Sequence, residues 1–141
     1  MLHGAFIFVA DLSRAITIPT STEFVALAGY GGGLGGRSAV RLIKDLDTPI
    51  GGRDVLIAED VVDTGLTLNY LVRTLDLRGP ADIAVVTLLD RPYRRLVDDL
   101  PIRYVGFTVP DEFFVGYGFD LDQRYRGLPD IHVVDLPDEA A

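Results

Sequence analysis

The chain has no cysteine, a single lysine (Lys44), and 13 basic residues against 21 acidic ones, for a formal net charge of −8. Without cysteine there is no disulfide and no thiolate metal site. The acidic balance argues against a general nucleic-acid binder, although arginines gathered late in the chain allow a local basic pocket. No stretch reads as a membrane span: residues 5–18 are apolar but interrupted by Asp11 and Arg14, and the run is too short to cross a bilayer. No basic region precedes it, as a secretory leader would require. The expectation is a soluble, cytoplasmic protein. Its 141 residues fit one domain, large enough to fold without disulfide or metal staples.

What is present alternates between apolar strands and helical stripes. An amphipathic run from Ala5 to Ile18, with Phe6, Val9, Ala10 and Ile16 on one face, predicts a helix closed by Pro19. Residues 23–28 and 38–43 read as strands, separated by a glycine-dominated loop at 29–36 around Tyr30. Residues 54–58 form a continuous apolar strand of the kind buried on both faces. Leu66, Leu68, Leu71, Val72 and Leu75 make a helical stripe, and residues 83–89 and 102–109 are further strands. The strands at 54–58 and 83–89 flank the helix, which predicts a βαβ unit with parallel pairing. Residues 111–128 are rich in aromatics and glycine, 131–134 form a short last strand, and 135–141 are an acidic tail after a domain spanning 1–134.

The segment from Val55 to Thr67 carries the chemistry. A strand runs into Glu59, Asp60 and Asp63, then Thr64-Gly65-Leu66-Thr67 opens a helix. Carboxylates do not enter an apolar core cheaply, so a polar loop at 59–65 is expected at the carboxyl end of the strand, where open α/β sheets bind ligands. Free amides, two hydroxyls and a glycine at a helix start suit a phosphate. The adjacent acidic pair suits vicinal ribose hydroxyls or a metal, and Asp63 could also cap the helix. The loop lacks the pattern and lysine of a Walker A motif. Gly31, Gly33 and Gly36 match a dinucleotide fingerprint in spacing, but a strand follows them rather than a helix. A phospho-acceptor signalling domain would place its acidic pair after the first strand and a lysine at a late strand end, and neither is found here.

Val-Leu-Ile-Ala-Glu-Asp-Val-Val-Asp-Thr-Gly-Leu-Thr resembles the phosphoribosyl diphosphate (PRPP) signature of type I phosphoribosyltransferases. Leu88-Leu89-Asp90-Arg91-Pro92, the run from Pro110 to Gly118 and Arg124-Tyr125-Arg126-Gly127-Leu128-Pro129 resemble the hypoxanthine-guanine branch of that family. The resemblance implies an α/β fold with a central, mainly parallel sheet flanked by helices and a small hood. It implies transfer of phosphoribosyl from PRPP to a 6-oxopurine in purine salvage, with Mg2+, by a homo-oligomer (dimer or tetramer) that engages neither nucleic acid nor membrane. Carried over by position, Glu59 and Asp60 hold the ribose hydroxyls. Asp63 is the general base near purine N7, and Asp63, Thr64, Gly65, Leu66 and Thr67 wrap the 5′-phosphate. His3, Gly4 and Arg126 lie on the pyrophosphate side. Arg91, Phe113, Phe114 and Asp120 belong to the purine side, with Phe113 stacking on the base and the Phe114 backbone reading its edge. Glu59, Asp60 and Asp120 form the metal set, and Tyr30 closes a mobile lid.

Four features depart from the family pattern. Met1 falls almost at the pyrophosphate turn, where the family has a helix and a first strand beforehand. That turn reads Leu2-His3-Gly4 in place of Leu-Lys-Gly. Arg91 replaces the lysine that reads the purine 6-oxo group, and Gly29 replaces a serine. These departures leave an alternative: a truncated or repurposed phosphoribosyltransferase fold that binds PRPP or nucleotide without turnover. Arg94-Arg95 reads as a solvated face.

Overall fold

The computed structural model describes residues 2–30 and 39–135. Element order is α1 (Leu2–Ala15), β1 (Ala26–Tyr30), β2 (Ala39–Lys44), β3 (Asp54–Val62), α2 (Leu66–Asp76), β4 (Asp82–Asp90), a 3-10 turn (Pro92–Arg94), β5 (Ile102–Thr108), β6 (Phe113–Val115) and β7 (His132–Val134). The expected βαβ unit is present: β3 and β4 pair in parallel across α2, and β5 adds in parallel to give the order β3-β4-β5. Two antiparallel pairs complete the fold, β1 with β2 and β6 with β7.

The core lies between α2 and the parallel sheet. Leu68, Leu71 and Leu75 from α2 meet Ile57, Val62 and Val85 from the strands, with Ile50 at one end. Burying each such aliphatic side chain contributes about 1.5–3 kcal/mol. The central strand β4 is buried along most of its length, including Thr87, whose hydroxyl donates to the Leu89 carbonyl at 2.7 Å. A buried hydroxyl without that partner would be costly.

Several boundaries differ from the sequence expectation. The first helix starts at Leu2 and ends at Ala15, so Leu2-His3-Gly4 is its first turn rather than a turn before it. Its inward stripe is Ala5, Val9 and Leu12, continued by Ile16 just past its end, spaced as a helix face requires, whereas Phe6 and Ala10 are exposed. Strand β1 begins at Ala26 rather than Glu23, because the Glu23 carboxylate accepts from the Asp47 amide and the Thr48 hydroxyl and so closes the 45–48 turn. Strand β3 runs to Val62, and Glu59 and Asp60 are its residues rather than part of a loop. The ladder to β4 continues through Glu59–Thr87, Val61–Leu89 and Val62–Asp90, and that pairing outweighs the polarity of the side chains.

Among the described residues, the β3 edge away from β4 has no strand partner. It opens on a cleft of about 610 Å3 walled by the inward stripe of α1 and floored by Leu71 and Leu75. Leu56 is 44% exposed there, although it belongs to the strand at the heart of the fold.

Candidate active site

The site is built where β3 and β4 end. Glu59 and Asp60 are each 8% exposed. Burial, reinforced by the neighbouring Asp60 charge, pushes the Glu59 carboxyl above its ordinary value. A raised carboxyl pKa means the folded state holds a proton that the unfolded chain has already lost. Stability is therefore greatest below the ordinary glutamate value of 4.5 and falls as pH rises through the folded-state value. Glu59→Gln is accordingly expected to raise the thermal midpoint at neutral pH relative to the parent. The difference should shrink toward pH 4 in melts recorded across that range, and a constant difference would contradict the assignment.

Past Val62 the chain turns sharply. Gly65 sits at φ +82° as the N-cap of α2, with no side-chain cap, so Asp63 does not cap the helix. The Thr64 hydroxyl accepts weakly from the Leu66 amide at 3.4 Å. Among the described residues the amides of Thr64, Gly65, Thr67 and Leu68 make no hydrogen bond. Bare amides at a helix N-terminus attract an anion through both hydrogen bonding and the helix dipole.

Asp63 faces the segment after β4. Its Oδ1 is buried and ion-pairs with Arg94 Nε at 3.2 Å, but it forms no hydrogen bond. The other such buried atom among the described residues is Arg91 Nε. Arg91 donates through Nη2 to the Glu112 carbonyl, and its guanidinium lies over the Phe114 ring, 5.4 Å from the centroid. That contact is a cation–π pair. Phe113, next along β6, is 36% exposed. Arg91 thus joins Phe114 and Glu112, its amide bond to the Val62 carbonyl sets its backbone beside the residue before Asp63, and Phe113 lies next to Phe114 on the same strand.

On the opposite side, α1, β3 and the β6–β7 hood converge. A Cβ at Gly4 would lie 1.6 Å from Asp60 Oδ2, and one at Gly118 would lie 2.3 Å from the Gly4 carbonyl. Gly4 is buried and His3 exposed. Arg126 is held inside the hood turn, donating to the Gly118 carbonyl at 2.7 Å and pairing with Asp120 Oδ1 at 3.0 Å. Asp120 also accepts from the Gln123 amide at 2.9 Å. The Tyr117 hydroxyl donates to Asp11 and ties the hood to α1.

Mg2+ takes near-octahedral oxygen coordination, usually one or two carboxylates plus water and substrate phosphates. Among the described residues no group of three or more acidic or histidine side chains could hold a metal. Glu59, Asp60 and Asp120 are therefore not assembled as a set, because Asp120 is engaged by Arg126 within the hood. The buried Glu59-Asp60 pair fits an ion that arrives on a diphosphate and needs few protein ligands. Of the expected lid loop at 29–36, residues 31–36 lie outside the described residues, and Gly29 and Tyr30 end β1. His132 is exposed on β7.

Of the Arg94-Arg95 pair expected on a solvated face, Arg94 is exposed and Arg95 is not. Arg94 bridges Asp63 and Asp111. The Arg95 side chain is 15% exposed and pairs with Asp90. The signal was available in the sequence: parallel neighbours end on the same edge, so residues following β4 must meet residues following β3.

The matching family model is the phosphoribosyl transferase domain, over residues 1–122. The hypoxanthine phosphoribosyltransferase of Salmonella typhimurium is 48% identical over 139 residues, which is 99% of this chain and 78% of that protein. The hypoxanthine-guanine phosphoribosyltransferase of Mycobacterium avium is 52% identical over 135 residues, 96% of this chain and 66% of that protein. The crystal structure of a hypoxanthine-guanine phosphoribosyltransferase from Bacillus anthracis superposes with a TM-score of 0.89 at 43% identity, covering 95% of this chain and 78% of that one. A strand-end acidic pair, bare amides at the start of α2 and agreement with these relatives over nearly the whole chain lead to one conclusion: the chain belongs to the phosphoribosyl transferase family, in its hypoxanthine phosphoribosyltransferase branch.

Proposed function

We propose that the chain is a purine-salvage pentosyltransferase that moves the 5-phosphoribosyl group of PRPP to N9 of hypoxanthine or guanine, releasing pyrophosphate and IMP or GMP. The observation that carries this reading is a buried acceptor and a buried donor that make no hydrogen bond among the described residues: Asp63 Oδ1, whose one described contact is its ion pair with Arg94, and Arg91 Nε. A buried polar atom without a hydrogen bond is costly, and a ligand that bonds both atoms relieves that cost. A 6-oxopurine offers their complements on one edge, N7–H and O6. Adenine would turn an amino group toward the Arg91 donor and leave both unpaired, which is costly in a buried site.

In this reading the buried carboxylates of Glu59 and Asp60 hold the ribose hydroxyls, and the unbonded amides of Thr64, Gly65, Thr67 and Leu68 hold the 5′-phosphate. The C1′–O bond to pyrophosphate breaks while N9 bonds to C1′. Positive charge builds on the ribose, where the acidic environment favours it. The Asp63 carboxylate takes the N7 proton as the base is ribosylated. Mg2+, when bound, neutralises charge on the leaving diphosphate. Phe113 supplies a stacking face for the purine. Gly4 and Arg126 lie toward the pyrophosphate, with His3 exposed beside them, and Tyr30 belongs to the covering lid.

We place the enzyme in the cytoplasm as a dimer or tetramer. Exposed apolar residues on β5, Tyr104, Val105 and Phe107, support association, and light scattering of the purified protein tests it. No described helix is long and apolar enough to cross a membrane.

The test of function is a purified-protein assay with PRPP, Mg2+ and hypoxanthine, guanine or adenine, following nucleotide by chromatography. IMP and GMP are expected and AMP is not. Folded protein yielding neither IMP nor GMP would overturn the reading. Arg91→Met is expected to raise KM for hypoxanthine by about 10- to 100-fold, the loss of a charged hydrogen bond, with KM for PRPP little changed.

A further inference from the structure

Arg95 has no part in the reaction just described, yet it is among the more constrained side chains of the site. Its guanidinium is divided between two elements. Nη2 donates to the Asp90 carboxylate at the end of β4, and Nε donates to the backbone carbonyl of Asp63 at 3.2 Å. The side chains of Arg95 and Asp90 are only 15% and 14% exposed. The Arg95 stem also packs on the turn, since a Cβ at Gly65 would lie 3.0 Å from its Cδ.

Two backbone bonds flank this contact. The Arg91 amide donates to the Val62 carbonyl at 3.0 Å and the Leu96 amide to the Thr64 carbonyl at 2.9 Å. Three successive carbonyls, at 62, 63 and 64, are thus turned toward the 91–96 segment. In a trans peptide the C=O of one residue and the N–H of the next point in opposite directions. Fixing these carbonyls therefore aims the amides of Asp63, Thr64 and Gly65 away from that segment. The amides of Thr64 and Gly65 make no hydrogen bond among the described residues. The middle of the three contacts is the one made by a side chain, and it is Arg95.

We propose that Arg95 is a positioning residue for the phosphate loop. By bridging Asp90 and the Asp63 carbonyl, it holds the Asp63–Gly65 peptides with their amides presented to the 5′-phosphate. It touches neither substrate nor reacting atoms. The inference rests on the functional reading above. A lysine would keep the charge beside Asp90 but has one nitrogen and no rigid fork, so it cannot serve both partners in the same geometry.

The test compares Arg95→Lys with the parent protein by calorimetric titration of IMP, by competition with inosine, which lacks the phosphate, and by thermal melts. Arg95→Lys is expected to bind IMP about 10-fold or more weakly, on the scale of one charged hydrogen bond. Inosine affinity should hold within about 2-fold and the melting midpoint should stay near the parent value, because the pair with Asp90 persists. KM for PRPP should rise more than kcat falls. Unchanged IMP affinity, or equal loss for IMP and inosine, would overturn the proposal. Should Arg95→Lys fail to fold, Asp90→Asn supplies the same test. Its amide oxygen still accepts from Arg95 without charge assistance, and a selective loss for IMP of about 3-fold is expected; no selective loss overturns the proposal. A parent protein that binds no IMP would overturn the functional reading itself, whereas a parent that binds beside indifferent variants overturns the role of Arg95 alone.

Discussion

Asp63→Asn should lower kcat by about 100- to 10,000-fold, the range a positioned general base contributes, while KM for PRPP changes little. Asparagine matches aspartate in size and keeps one acceptor oxygen, but it cannot take a proton. The turn that carries it should survive the change. Its carbonyl is held by Arg95 and its neighbours' carbonyls by the amides of Arg91 and Leu96, none of which involves the Asp63 carboxylate. The lost ion pair with Arg94 joins side chains that are 45% and 36% exposed, and such pairs contribute little to stability. Steady-state kinetics with each substrate varied in turn measures the split. Equal loss in kcat and in PRPP affinity would show that the carboxylate shapes the loop instead of accepting a proton.

Gly4→Ala should be nearly as damaging, and for a steric reason. Alanine is the better helix former by about 1 kcal/mol, and Gly4 lies in a helix, so an open site would be stabilised by the change. Here the added methyl would sit 1.6 Å from Asp60 Oδ2 and 2.7 Å from its Cγ. The carboxylate has little room to retreat, because Asp60 is 8% exposed and its Oδ1 accepts from the Val61 amide at 2.8 Å. The helix cannot easily withdraw either, because the Gly4 carbonyl packs against Gly118 of the hood. Overpacking of this kind costs about 1–3 kcal/mol, and a displaced Asp60 no longer meets the ribose. Activity is expected to fall by at least about 100-fold, comparable to misplacement of a binding group. A double-mutant cycle separates the two effects. Adding Asp60→Ala to Gly4→Ala should recover thermal stability without recovering turnover. A double variant no more stable than Gly4→Ala alone would place the clash elsewhere.

These predictions draw unequally on sequence and structure. The βαβ unit was legible because short continuous apolar runs and a leucine stripe of period 3.6 are distinct patterns, and each element here keeps its own. The α2 helix and strands β2, β4 and β5 fall within about two residues of their expected bounds. The end of β3 was misread for a physical reason. Polarity signals a loop only where side chains are free to find water, and the ladder to β4 carried Glu59 and Asp60 into a strand regardless. Arg95 was misread likewise, because two adjacent arginines look solvated until their partners, Asp90 and the Asp63 carbonyl, are brought beside them.

By itself the sequence determined the parallel unit, the acidic strand end, the glycine turn and the family resemblance. All of these are local patterns, set by the order of residues along one segment. Tertiary structure alone decided which groups face one another: Gly4 against Asp60, Arg91 over Phe114, Arg126 turned inward to Asp120, and three carbonyls gathered by the segment after β4. Such contacts join positions far apart in the chain. They depend on strand register and on how closely two backbones approach, and neither quantity is written in a local pattern.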